Sequence, residues 1–408
     1  MVPLPLPLPA SPTPTDRRLD HLDALRGFAL FGILLVNMNG FKTPLFSSAP
    51  GDLLLAGPEN TFAVHLISVL ASGKFIAIFS FLFGLGLAMQ WRRWGALDGP
   101  AFKRHVRRRM GVLLVLGILH GVLLWPGDIL GVYAIIGLTG AGLVRRSTRS
   151  QLVFAAIIFT LLAGLMMAGT YWITSLNVGT DHYTKEEMQA WVECYQSTDI
   201  GLIIRARLRE WGFVWVISLF FQIPYALMFV LVGIAAGKLD AQALLERTRS
   251  LRPVHLISAG LLFSLLGPIA EFTAKDSAVL ATAAAGGQFI GSILTACGYA
   301  VVAVGLFRSG KWPRLTACLA GVGRLSLSNY LFQSIAANVI FMGWGLGLYG
   351  RTTAFAGLGI SVGVFALQVV LSQLWLRRFL SGPAEHLSRK LAYPAGKETA
   401  AFSKRPAG

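Results

Sequence analysis

The chain has 408 residues, of which 54% are hydrophobic and only 13% charged, and its mean hydropathy is +0.62. This composition is typical of a polytopic membrane protein and excludes a soluble domain. The net charge of +17 would favour nucleic-acid binding in a soluble chain, but here the basic residues lie in short loops between apolar runs. In that position they set topology and contact anionic lipids, so we expect membrane lipids as partners and no nucleic acid.

The apolar runs predict an all-α transmembrane bundle of about ten spans, bounded by charged residues or proline. Residues 1–16 alternate proline too regularly for a helix, and both 1–16 and 394–408 are predicted to be disordered tails. The predicted spans lie near 25–41, 74–90, 110–125, 128–144, 152–176, 211–236, 254–271, 279–307, 320–341 and 354–376.

The loops between these spans alternate in basic content, which predicts a topology. Most lysines and arginines fall in loops on the side of the membrane that also holds both termini. Because cytoplasmic loops are enriched in basic residues, both termini are predicted to be cytoplasmic, and the membrane is predicted to be the inner membrane of a bacterium. We divide the membrane part into three regions. The amino-terminal region, 17–144, contains the LDALRG and WPGD motifs; the second, 145–210, holds the fifth span and an outer loop; and the carboxyl-terminal domain is 211–393.

Two other apolar segments are predicted not to span. Residues 61–72 are too short to cross and are expected to lie on the outer interface or to dip partway into the membrane. The loop 177–210 contains Met188, Trp191, Val192 and Tyr195 at helical spacing, which predicts a helix that caps the outer face.

The first span follows a cluster of charges in RRLDHLDALRGFALFGILLVNMNGF, residues 17–41. An ionisable residue at a membrane boundary is a functional-site hypothesis, so Arg26 is a candidate binding residue, and Asn37 lies at the far end of the span. The alternative is that Asp20, Asp23 and Arg26 form an interfacial charge cluster without further function.

The segment GILHGVLLWPGDILGVY, residues 117–133, contains a second candidate site. His120 lies in an apolar helix, and Pro126–Gly127 breaks that helix just before Asp128. A carboxylate that orients a histidine makes a general base, because it holds the imidazole tautomer and stabilises its cation. The alternative is a hydrogen-bonded core histidine and an aspartate that caps the next helix.

The ninth predicted span has a polar stripe in GRLSLSNYLFQS, where Ser326, Asn329 or Tyr330, and Gln333 fall on one helical face. The stripe predicts either hydrogen bonding between helices or the wall of a substrate cavity.

Glycines that recur in FSFLFGLGLAMQ and in GVLLVLGILHG predict close helix packing instead of a phosphate loop. The three cysteines, Cys194, Cys297 and Cys318, are too far apart in sequence to support a disulfide framework or a metal site.

Several of these motifs together carry a resemblance. LDALRGFALFGILLVN, LHGVLLWPGDILGVYAIIGL, GRLSLSNYLFQS and SGPAEHLSRKLAY resemble the bacterial YeiB-like family over about residues 17–393. The carboxyl-terminal half of that family is catalogued as a domain of unknown function, number 418. The resemblance implies a polytopic membrane fold.

A more distant resemblance implies chemistry. LDALRGFAL is similar to the first-helix signature of membrane acyltransferases, which pass an acyl group from cytoplasmic acyl-CoA to a sugar on the other side of the membrane. In the O-acyltransferases the arginine of this motif is followed eleven residues later by a catalytic histidine, but here that position is Asn37. Asparagine is not a base. The N-acetyltransferase branch has an asparagine near this place and its histidine farther along, which leaves His65 or His120.

We therefore predict an acyltransferase that uses acyl-CoA as a co-substrate and a saccharide or lipid-linked acceptor, with no bound cofactor or metal. His120 would be the base and Asp128 its orienter. The residues expected to bind the donor are Arg26, Arg104, Arg107 and Arg108, and those expected to line the cavity are Asn37, Lys74, Trp125, Asn329, Tyr330 and Gln333. The alternatives are a transporter or exporter of a small metabolite, and a noncatalytic membrane scaffold or sensor.

Overall fold

The computed structural model describes residues 20–45, 57–92, 99–176, 184–239, 252–273 and 277–392. These residues form α-helices joined by turns, with no β-strand among them, so the predicted all-α bundle is confirmed. The predicted tails at 1–16 and 394–408 lie outside this part of the chain.

The helices follow one another in a simple order, and a π-helical turn at Ser218–Gln222 joins the eighth to the ninth. They are α1 (Asp20–Lys42), α2 (Pro58–Leu70), α3 (Lys74–Gln90), α4 (Gly99–Leu123), α5 (Leu130–Leu143), α6 (Thr148–Ser175), α7 (Lys185–Gln196), α8 (Ile200–Ile217), α9 (Ile223–Lys238), α10 (Pro253–Thr273), α11 (Ala278–Arg308), α12 (Pro313–Arg324), α13 (Ser326–Phe341), α14 (Ala354–Arg378) and α15 (Pro383–Ala392).

Seven helical stretches of the described chain are long and apolar enough to cross a membrane, judged by length and composition. They are Asp20–Lys42, Pro58–Gln90, Thr148–Ser175, Ile200–Lys238, Pro253–Thr273, Ala278–Arg308 and Ala354–Arg378. Helix α5 is apolar but shorter. The protein is therefore a polytopic membrane protein, while the count of ten spans and the cytoplasmic termini stay predictions.

Glycines let several pairs of helices approach backbone to backbone. In the crossing of α3 and α9, a β-carbon at Gly84 would meet the carbonyl oxygen of Val230, and one at Gly233 would meet that of Phe81. Small residues at a crossing allow the close van der Waals packing that holds membrane helices together. The packing role predicted for the glycines of FSFLFGLGLAMQ agrees with these contacts at Gly84.

The same device fixes α1 against α12. A β-carbon at Gly27 would meet the backbone of Leu319, and one at Gly323 would meet the backbone of Asp23. Because each helix places a glycine against the backbone of the other, the two backbones are in direct contact at this crossing. It holds the charged start of α1 beside the end of α12.

The predicted ninth span, 320–341, is two helices instead of one. Helix α12 ends at Arg324, and Leu325 has φ −105° and ψ 32°, outside helical geometry. A break exposes backbone N–H groups at the start of the next helix. Glu385 Oε1 accepts those of Leu327 at 2.8 Å and Ser328 at 3.2 Å, so the SGPAEH segment caps α13 from α15. The prediction of a continuous helix over 320–341 is therefore wrong. The break is stabilised by Glu385, which lies in a distant part of the chain and gives no local signal near Leu325.

The two segments predicted not to span are also helical. Residues 61–70 form most of α2, and a turn follows in which Gly73 adopts φ +77° and leads the chain into α3. The helix predicted in the outer loop is α7, which buries Met188, Val192 and Tyr195. The end of the predicted loop is instead helical, because α8 already begins at Ile200.

Reporter fusions test the predicted topology, because the basic residues are concentrated in alternate loops. Fusions after Gly99, Arg149 and Lys390 should report the cytoplasm, and fusions after Ser48, Asp181 and Arg351 should report the opposite side. Ser48 and Asp181 lie outside the described residues. Two neighbouring fusions that report the same side would show that a span has been miscounted between them.

Candidate functional site

The site is built at the turn between α4 and α5. His120 lies in the last turn of α4, and its carbonyl accepts the N–H groups of Leu124 and Trp125, both at 2.8 Å. Pro126 has no backbone N–H and cannot continue the helix, so the chain reverses there. Asp128 then accepts the N–H groups of Leu130 at 3.0 Å and Gly131 at 2.8 Å, which caps α5.

The reversal brings His120 and Asp128 together. Nδ1 of His120 lies 2.9 Å from Oδ1 of Asp128, and both side chains are 1% exposed. The Nδ1–H bond is not aligned with Oδ1, so this contact is electrostatic and not a hydrogen bond. Asp128 therefore both caps α5 and contacts the histidine.

The other ring nitrogen of His120 faces a hydroxyl. Nε2 lies 2.8 Å from Oγ of Ser334 on α13, and the ring of Tyr330 lies 5.0 Å from the imidazole between centroids. A carboxylate beside Nδ1 favours the proton on that nitrogen, which leaves Nε2 to accept from the hydroxyl. Carboxylate, imidazole and hydroxyl thus follow one another in the order of a general-base relay.

A cavity of about 310 Å³ lies beside this turn. Gly127 and Ile129, the two neighbours of Asp128, form part of its wall, together with Trp125 and Asn37. The lining is mostly apolar, and none of the described residues that form it has an ionisable side chain. Nδ2 of Asn37 is buried without a hydrogen-bond partner in the described part of the protein, so the cavity offers a free donor to a ligand that carries an acceptor.

The polar stripe of α13 binds another helix. Asn329 donates to Ser372 Oγ at 3.0 Å, and Gln333 donates to Gln368 Oε1 at 3.1 Å, both on α14. Gln368 returns a bond to the carbonyl of Asn329 at 2.7 Å. Of the two alternatives for the stripe, these contacts match hydrogen bonding between helices. Asn329, Tyr330 and Gln333 are not part of the wall of the 310 Å³ cavity.

Lys74 also lies outside that wall, although its neighbours Gly73 and Phe75 belong to it. The side chain is fully buried, and Nζ donates to the carbonyl of Ser68 at 3.1 Å and to Ser264 Oγ at 3.3 Å. The lysine therefore ties α3 to α2 and α10.

The residues predicted to bind the donor lie in two groups. Arg26 contacts Asp23 at 2.6 Å, and Arg324 pairs with Asp20 at 2.5 Å and with Asp23 at 3.6 Å. The second group consists of Arg104, Arg107 and Arg108, which are exposed on the first half of α4. This helix packs against α15.

Sequence reasoning missed a second buried polar cluster, where α7 and α8 meet. Arg207 and Glu210 on α8 are each only 4% exposed. Glu210 accepts the hydroxyl of Tyr195 at 2.5 Å and the N–H of Leu45 at 3.2 Å. Burial, and then the charge of Glu210, raise the pKa of Tyr195 above its usual value. The available signal was the spacing of Arg207 and Glu210, which places both on one face of a helix.

The sequence comparisons agree on one family. The family model described as "Protein of unknown function (DUF418)" matches residues 236–395. The chain is 30% identical to the uncharacterized protein YxaH of Bacillus subtilis, over 94% of this chain and 98% of that protein. It is 28% identical to the uncharacterized protein YeiB of Escherichia coli, over 92% and 96%. The chain therefore belongs to the YeiB-like family of DUF418 membrane proteins.

Proposed function

We propose that the protein is an acyltransferase of the bacterial inner membrane, which moves an acyl group from cytoplasmic acyl-CoA to an envelope sugar or lipid-linked acceptor. The observation that carries the proposal is the position of His120 between a carboxylate and a hydroxyl. Nε2 lies 2.8 Å from Ser334 Oγ, within the reach a general base needs, while Asp128 stands 2.9 Å from Nδ1.

In this scheme the acceptor hydroxyl replaces Ser334 at Nε2 after the serine side chain rotates away. His120 takes the proton of that hydroxyl as its oxygen bonds to the acyl carbon, and the carbon–sulfur bond of the thioester breaks. Asp128 stabilises the resulting imidazolium, which then returns the proton to the leaving thiolate. Nδ2 of Asn37, which lacks a partner among the described residues, would donate to the acyl carbonyl oxygen as negative charge develops there.

The size of the cavity limits what enters it. At roughly 30 Å³ for each water-sized group, a cavity of about 310 Å³ holds on the order of ten non-hydrogen atoms. That suits an acyl group but not a whole acyl-CoA. The phosphates of the donor would stay on the cytoplasmic side, where Arg26, and the exposed Arg104, Arg107 and Arg108, would attract them.

One observation favours a second candidate, the export or uptake of a small neutral metabolite. The cavity is lined by apolar groups with amides and a hydroxyl, namely Asn37, Gln222 and Ser218, and a neutral solute needs no more. Transport would move its substrate unchanged and release no CoA, so product analysis separates the two functions.

Thermal-shift titration with acyl-CoA tests the donor side. We expect the wild-type protein to be stabilised and Arg26→Lys to lose most of that shift, because a guanidinium binds phosphate in a bidentate manner and an ammonium does not. Arg314→Lys, at an exposed arginine of α12, is the matched control and should respond like the wild type. An absence of stabilisation of the wild type by any acyl-CoA would count against a donor site altogether.

A further inference from the structure

Arg207 joins two helices that meet at the candidate site. It lies on α8 with 4% of its surface exposed, and its two terminal guanidinium nitrogens donate to different elements. One binds the carbonyl of Leu123, the last residue of α4, and the other binds Oδ1 of Asn338 on α13. Both hydrogen-bond acceptors are neutral, and among the described residues no carboxylate lies within ion-pair distance of this guanidinium, although the Glu210 carboxylate one turn along α8 still interacts with it electrostatically.

Asn338 completes the connection from the other side. Its Nδ2 donates to the carbonyl of Leu124 at 2.9 Å, just beyond the end of α4, and to the carbonyl of Ser334 at 2.7 Å. Ser334 lies one turn earlier on α13, and His120 lies one turn before Leu124. The hydrogen bonds of Arg207 and Asn338 therefore fix the distance between α4 and α13 one turn away from the contact of His120 with Ser334.

We propose that Arg207, acting through Asn338, is a positioning residue that holds His120 Nε2 at hydrogen-bond distance from a hydroxyl. A buried charge is a poor source of stability even with a carboxylate nearby, so stability alone does not account for an arginine here. The geometry of the guanidinium does account for an arginine, because its planar group donates to two acceptors on two elements at fixed angles. A lysine ammonium is a compact charge on one nitrogen and has no such fixed fork of donors. The effect on turnover rests on the proposed function, but the effect on the geometry of His120 does not.

The location of Arg207 separates its effect on chemistry from an effect on binding. The residue is not part of the wall of the 310 Å³ cavity, to which Asn37 belongs. Loss of the guanidinium should therefore misplace the base without removing a contact to a ligand in that cavity. A misplacement of about 1 Å can reduce a rate roughly a hundredfold, so we expect kcat to fall by about that factor while KM changes little.

The test compares Arg207→Met and Arg207→Lys with Arg205→Met and Arg209→Met, two exposed arginines of the same helix. Nitrogen-15 NMR of histidine-labelled protein reports the tautomer and hydrogen bonding of His120, whose signals are assigned by their absence in His120→Gln. We expect Arg207→Met to shift the His120 signals and lower kcat, Arg207→Lys to give a smaller change in both, and the two control variants to match the wild type.

Unchanged His120 signals in Arg207→Met would overturn the proposal, as would equal shifts in the control variants. If Arg207→Met does not fold, Arg207→Lys decides by the same signals, because it keeps the charge and most of the volume. Shifted signals in a protein that shows no acyl transfer even as wild type would support the positioning role and contradict the proposed function.

Discussion

His120→Gln and Asp128→Asn should each reduce acyl transfer by roughly a thousandfold, within the range that general-base catalysis contributes. Glutamine at position 120 cannot accept a proton from the acceptor hydroxyl. Asparagine is a good helix cap, but it has one acceptor oxygen where Asp128 uses Oδ1 for the N–H of Leu130 and Oδ2 for that of Gly131, so it should keep one of these two bonds while removing the negative charge beside Nδ1. The second variant thus keeps part of the cap, and its thermal midpoint shows whether lost activity reflects lost folding.

The double variant should be little worse than either single one, because residues that act as a unit are not additive. The measurement is the rate of acyl transfer by purified protein in liposomes, with His255→Gln, an exposed histidine of α10, as the control. Full activity in both single variants would mean that the pair is structural. The base would then move to His65, whose Nε2 lies 3.8 Å from Glu271 Oε2.

Gly84→Val should strongly destabilise the fold, whereas Gly86→Val, two residues along the same helix, should be nearly neutral. A β-carbon at Gly84 would overlap the carbonyl of Val230. The atoms it meets belong to the backbone of α9, so no side chain can rotate to make room. Overpacking costs about 1–3 kcal/mol where side chains adjust, so we expect at least the upper end of that range here. A β-carbon at Gly86 meets no atom within 4 Å.

Thermal unfolding of both variants in detergent measures this difference. Equal midpoints for Gly84→Val and Gly86→Val would contradict the assignment of α3 and α9 as a glycine-mediated crossing.

The sequence predicted the parts of the site that depend on neighbouring residues. Pro126 and Gly127 reverse the chain between His120 and Asp128, and this local turn is enough to bring the two side chains within 2.9 Å. The helix α7 was likewise visible, because the spacing of Met188, Val192 and Tyr195 indicates one buried face.

The parts that depend on how helices cross were not predictable. A serine in a membrane helix usually bonds to its own backbone, so nothing local marks Ser334 as the partner of His120. Arg207 lies in the predicted outer loop 177–210, and nothing in the sequence marks it as buried, because its burial depends on where α8 packs. The break at Leu325 needs Glu385 as a cap, and that contact links residues 58 positions apart.

The central claim is that His120 catalyses the transfer of an acyl group from acyl-CoA. It is tested most directly by adding acyl-labelled acyl-CoA to inverted membrane vesicles that contain the wild-type protein or His120→Gln, and by following both the label and the free CoA. We predict that the wild type moves label into the saccharide or lipid fraction and releases an equal amount of CoA, and that His120→Gln does neither. Equal labelling and CoA release with the two proteins, or none with either in vesicles where the folded wild type is present, would contradict the claim.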